Sequence, residues 1–185
     1  MVKDILAVPE EFEKIFYLIL RSSKTKVESI GEEAKSKREI IGELLKLYES
    51  LSKIKLLSQI IPNFSTFIGV ATIYFSDTYE KKILLELKDI LDDQWLKLSE
   101  SLISFQKRFP KTFSFFSSRL FENFEDFLER REKIKRFVGT TAARVLNAED
   151  VLKISEILKE KYELDSLFVN KAMGVIGEII QELKK

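Results

Sequence analysis

The chain has 185 residues, 31 basic and 30 acidic side chains, and no cysteine or histidine. That excludes a disulfide framework, Cys/His zinc sites, Ser-His-Asp and Cys-His catalysis, haem ligation by these residues and a histidine pH switch. A net charge of +1 does not announce nucleic acid, and 45% hydrophobic residues exclude disorder for the chain as a whole. Six glycines and three prolines leave room for long uninterrupted helices. The length suits one domain whose core needs no covalent staple. Scarce Gln, Asn and Met beside abundant Lys, Glu, Ile and Phe resemble a heat-adapted composition.

A first helix is expected from Pro9, a residue preorganised for the first helical position, with Glu10 and Glu11 at the positive helix end. Phe12, Ile15, Phe16, Ile19 and Leu20 form its apolar stripe, and Ser22-Ser23 ends it. A long second helix is predicted from about Lys26 to Ile61. Val27, Ile30, Ala34, Ile41, Leu44, Tyr48 and Leu51 follow three-four spacing there. Beyond Leu51 the apolar face widens through Ile54, Leu56, Leu57, Ile60 and Ile61, as for a bundle core. Pro62-Asn63 reads as a turn. Thr66 to Phe75 has strand-like propensity but no partner strand, so it is read as helix.

Asp77 to Glu80 fits a capping-box-like start for a helix to about Phe109. Its core stripe is Ile83, Leu84, Leu87, Leu91, Trp95, Leu98, Leu102 and Phe105, and Pro110 ends or kinks it. The next helix is predicted over Lys111 to Val138, with Gly139 at its end. Asn147 then caps a helix to about Lys161, and Asp165 caps a last one to about Leu183. The fold class is therefore all-α: an antiparallel helical bundle of long helices with a short C-terminal helical hairpin. Residues 1–139 form the bundle, and 140–185 form the hairpin, expected to pack on it as one domain. No internal repeat stands out.

Nine of the 15 phenylalanines lie between residues 105 and 137. Phe113, Phe116, Phe124 and Phe127 form a core stripe, while Phe105, Phe109, Phe115 and Phe121 fall around it. A helix apolar on two faces needs several neighbours or a second chain, which makes Phe115 and Phe121 candidates for a protein interface. The window 107–136 holds nine basic and five acidic residues. Solvated helix ends explain most such charge. The functional alternative is phosphate contact by Lys35, Lys37, Arg38, Arg130, Arg131, Lys133 and Arg136. A helix-turn-helix is rejected, because the last helix carries Lys171 as its only basic residue before Lys184-Lys185.

Glu86, Asp89, Asp92 and Asp93 cluster on one helix, and Glu122, Glu125, Asp126 and Glu129 on the next. Facing each other, such groups would suit Mg²⁺. The leading expectation is a non-enzymatic helical-bundle protein acting through protein–protein contact, as a homo-oligomer or assembly subunit. The alternatives are an accessory nucleic-acid-binding protein and a magnesium-dependent phosphohydrolase. No cofactor is expected. The N-terminal charge pattern is wrong for a signal peptide and the most apolar stretch, Phe64 to Phe75, is too short to span a bilayer, so a cytoplasmic location without membrane insertion is expected.

Overall fold

The computed structural model describes residues 10–23, 37–68, 79–122, 125–141 and 148–185. They form six α-helices, with no strand among the described residues: α1 (Glu10–Ser23), α2 (Lys37–Ile68), α3 (Tyr79–Arg108), α4 (Pro110–Leu120), α5 (Glu125–Thr141) and α6 (Ala148–Lys184). The all-α bundle expected from the periodicity is the observed fold. Val27, Ile30, Ala34 and Lys35, the start at Asp77, Phe124 and the Asn147 cap lie outside the described residues.

Side-chain pairs fix the helix directions. Arg108 near the end of α3 reaches Glu39 and Glu43 near the start of α2, at 3.1 and 2.6 Å. Leu47 and Leu51 of α2 then share a small void with Leu98 and Leu102 of α3, so these helices are antiparallel. The same void brings in Ala172 and Ile176 of α6, while Trp95 of α3 meets Phe168 of α6 with ring centroids 6.3 Å apart. Helices α3 and α6 therefore run parallel. Phe127–Phe168 and Arg130–Glu160 set α5 antiparallel to α6. Phe16–Phe127 and Arg131–Glu13 set it antiparallel to α1.

The core takes most of the residues that the periodicity nominates, but Ile83 and Leu87 are half-buried and Tyr48 of α2 is exposed. Leu84, Leu91, Trp95, Leu98, Leu102 and Phe105 of α3 are buried, as are Leu164, Phe168, Ala172, Val175, Ile176, Ile179 and Leu183 of α6. Each fully buried Leu, Ile or Phe contributes about 1.5–3 kcal/mol relative to exposure. This burial, not propensity, holds the long helices in place.

Three boundaries differ from the sequence reading. Helix α2 does not turn at Pro62 but runs through it to Ile68. The proline ring removes the N–H that would bond the Ser58 carbonyl, at a cost of about 3 kcal/mol. The buried face Leu51, Ile54, Ser58 and Ile61 runs up to that site, so packing anchors the helix as far as the proline. The predicted helix over 111–138 is two helices, because α4 closes at Leu120 with Phe121 donating its N–H to the Ser117 carbonyl at 3.2 Å. Glu125 and Asp126 then open α5 at the helix end that favours negative charge.

The expected C-terminal hairpin is instead the single 37-residue helix α6. No glycine or proline falls between Ala148 and Met173 to break it. Asp165 is not a cap: it sits 3.0 Å from Lys161, one turn earlier on the same buried face.

Candidate functional site

The core face of α2 carries Ile40, Leu44, Leu47, Leu51, Ile54, Ser58 and Ile61. At 3.6 residues per turn, a second band about 120° wide lies roughly opposite, running Leu45, Tyr48, Ser52, Leu56, Ile60. Its large members stand in solvent, with Leu56 57%, Leu45 54%, Tyr48 41% and Ile60 39% exposed. The band is about 22 Å long at 1.5 Å per residue. Single exposed apolar residues are ordinary, but four on one stripe of one helix form an apolar patch, a candidate contact surface. Lys46, Glu49 and Lys53 flank it, all exposed, with the Lys53 ammonium 3.5 Å from the Glu49 carboxylate. The widened apolar face expected after Leu51 is thus split: Ile54 and Ile61 enter the core, while Leu56 and Ile60 face water.

The opposite anomaly lies between α3 and α6. Lys88 and Lys161 are buried, each with a carboxylate one turn on: Lys88 with Asp92, and Lys161 with Asp165 at 3.0 Å. Both helices carry the pattern Lys-x-x-Leu-Asp-x-x-aromatic, as Lys88, Leu91, Asp92, Trp95 and as Lys161, Leu164, Asp165, Phe168. Because the helices are parallel, the two patterns meet side by side and their aromatic ends touch. The Lys161 ammonium also lies 4.1 Å from the Tyr162 ring centroid, a cation–π contact. Burial, then the neighbouring Lys161 charge, holds the Lys88 amine below its ordinary range. Burial, then the Asp165 and Asp92 carboxylates, pushes the Tyr162 phenol well above its own. The charges balance within the seam, two against two.

Phe115 and Phe121 are half-buried and packed against the core. The Arg119 guanidinium lies 5.4 Å from the Phe115 ring centre, and Phe121 packs edge-on against Phe16 at 5.4 Å. Phe105, Phe109, Phe113, Phe116, Phe127 and Phe137 are buried. The break after Leu120 lets α4 and α5 each turn an aromatic face inward, while Phe115 and Phe121 stay half-buried.

The basic candidates are dispersed. Arg130 pairs with Glu160 at 3.2 Å. Arg131 is buried, paired with Glu13 and stacked over Phe16 at 4.4 Å. Lys133 and Arg136 are exposed, as are Lys37 and Arg38 at the start of α2; Lys35 lies outside the described residues. Antiparallel packing places the start of α2 toward the C-terminal end of α6, whereas Arg130 meets Glu160 near its other end. About 20 residues of α6, roughly 30 Å, separate the two runs, so they do not merge into one stripe.

Among the described residues no three carboxylates converge to hold a metal ion. Asp92 is tied to Lys88, and Asp93 pairs with Lys97 at 3.1 Å. The void between α2, α3 and α6 is apolar and no larger than a water molecule, which leaves no room for a substrate. Among the described residues no helix is long and apolar enough to cross a membrane. Comparisons with protein-family models, curated proteins and solved structures find no match.

Sequence reasoning passed over both anomalies, although each leaves a signal. Leu45, Leu56 and Ile60 are out of phase with Leu44, Leu51 and Ile54, which marks a second stripe. Lys88 falls in phase between Leu84 and Leu91, which marks a lysine in core register.

Proposed function

We propose that this chain is a non-enzymatic helical-bundle protein that acts by protein–protein contact, as a homo-oligomer or a subunit of a larger assembly, through the outer face of α2. The observation that carries this reading is the solvent-exposed stripe Leu45, Tyr48, Leu56, Ile60 on a helix whose other face is fully engaged in the core. Burying four such side chains at a contact contributes several kcal/mol before the cost of association. The long, charge-flanked form of the stripe suits a helix partner lying along it.

The test compares the wild-type chain with the double variant Leu45→Glu/Leu56→Glu in size-exclusion light scattering and in affinity capture. The wild type is expected in a complex, with itself or with a retained protein. The variant, folded by circular dichroism, is expected to lose that complex. Identical behaviour of the two chains would sink the reading.

A further inference from the structure

Resting on that contact face, we propose that its occupant is a second copy of this chain, with the two α2 helices packed antiparallel about a two-fold axis passing beside Ser52. The stripe is nearly palindromic about this residue. Leu45 and Tyr48 lie seven and four positions before it, and Leu56 and Ile60 lie four and eight after it. A two-fold interface requires self-complementarity: where residue i meets j, j must meet i. An antiparallel partner centred on Ser52 sets Tyr48 against the partner's Leu56 and Leu45 against the partner's Ile60, in both directions at once. Every large apolar side chain of the stripe is then matched with another.

The centre of the palindrome is its smallest side chain. Ser52 is half-buried, and its hydroxyl donates to the Tyr48 carbonyl at 2.9 Å, folding back on its own helix. A small residue at the crossing point lets two helix axes approach to about 8–10 Å. A large one there would hold them apart.

The charges agree with this geometry. Glu49 and Lys53 lie on the same flank of the stripe, 3.5 Å apart and exposed. A two-fold axis perpendicular to both helices sets like flank against like flank. Glu49 therefore comes level, within one helical turn, with the partner's Lys53, and Lys53 with the partner's Glu49. The pair inside one helix becomes a four-member alternating ring between two. Opposite charge on one flank, one turn apart and close to the centre of symmetry, is what an antiparallel self-contact needs.

The chain contains no cysteine, so one introduced thiol reports its own symmetry mate. Two Ser52→Cys chains are expected to form a disulfide dimer under mild oxidation, because a residue on the axis meets itself within the roughly 7 Å that a disulfide tolerates. Lys46→Cys is the control: it is more exposed than Ser52, but its symmetry mate would lie about 18 Å away along the helix. Light scattering of the wild-type chain from micromolar to submillimolar concentration should show the mass rising from 21.6 kDa toward twice that value. Leu56→Glu should raise the dissociation constant about 100-fold or more, since each substitution counts twice. Glu49→Lys should raise it several-fold, and Glu49→Lys/Lys53→Glu should restore it.

A Ser52→Cys chain that cross-links no better than Lys46→Cys would overturn the proposal. So would a dimer indifferent to Leu56→Glu, or a mass of one chain at every concentration. If that lone chain still captures a protein that Leu45→Glu/Leu56→Glu releases, the contact face stands and only the second copy as its occupant falls.

Discussion

The outer face of α2 and the seam between α3 and α6 break the inside-out rule in opposite senses. One places Leu45, Leu56 and Ile60 in water; the other places Lys88 and Lys161 in the core. The seam is closed on itself, because each buried lysine has a carboxylate one turn away and the two pairs lie side by side. The α2 face has no such completion among the described residues. Each buried lysine is matched by a carboxylate of its own helix, so the seam places charge in the core without leaving a lysine alone there. The apolar α2 face is matched by no partner among the described residues, and the proposed contact rests on it.

Breaking the seam gives the largest expected effect. Asp165→Asn leaves Lys161 buried without its counter-ion, and unfolding by urea should show a loss of about 3–5 kcal/mol. Replacing the pair together, as Lys161→Met/Asp165→Leu, removes both desolvated charges and should leave stability near or above wild type. If the double variant is as damaged as the single one, the seam contributes more than charge compensation.

The seam also has an alkaline signature of intermediate size. Tyr162 keeps its proton in the folded chain above the ordinary phenol value of 10.0, whereas the unfolded chain releases it there. The folded state then binds more protons, so the stability from this group is fully present below pH 10.0 and falls above it, by up to about 1.4 kcal/mol per pH unit. Lys88 has the opposite sign. Its folded amine gives up its proton below 10.5, so the cost of burying that charge is relieved as pH rises toward 10.5. Chemical unfolding of the wild type and Tyr162→Phe across pH 9–11, about the ordinary tyrosine range, separates the two. The phenylalanine variant should lose less stability above 10.0. Parallel curves would show that this phenol does not retain its proton.

What the sequence made legible follows from the physics of each feature. Periodicity reports which side of a helix is apolar, so most of the α3 core stripe, from Leu84 to Phe105, was readable. It does not report how many neighbours a helix has. The exposed members of α2 therefore read as a widened core face, and the phenylalanines of α4 and α5 read as surplus. Pro62 signals a broken backbone bond, but whether the helix ends there depends on the tertiary packing of Ile61 and its neighbours. Asp165 is chemically a good helix cap and equally a good partner for a lysine one turn back. The continuity of α6 through this position decides between those roles. The basic residues scatter for the same reason: Arg130 and Arg131 find Glu160 and Glu13, which lie 30 and 118 positions away in the sequence.

The smallest expected effect sharpens the comparison from the α2 side. If Leu45 and Leu56 serve a partner and not the core, charging them should hardly change the chain's own stability. Leu56→Glu, measured at concentrations low enough to keep the chain monomeric, should unfold within about 0.5 kcal/mol of wild type, as surface substitutions do. Leu51→Glu, five residues earlier on the buried face, should not fold at all, because a carboxylate would replace a side chain that is 2% exposed. A substantial loss for Leu56→Glu in the monomer would mean that another part of the chain covers this face, and the stripe would belong to the fold. A loss that appears only at high concentration, and grows with it, would place the energy of that face between chains.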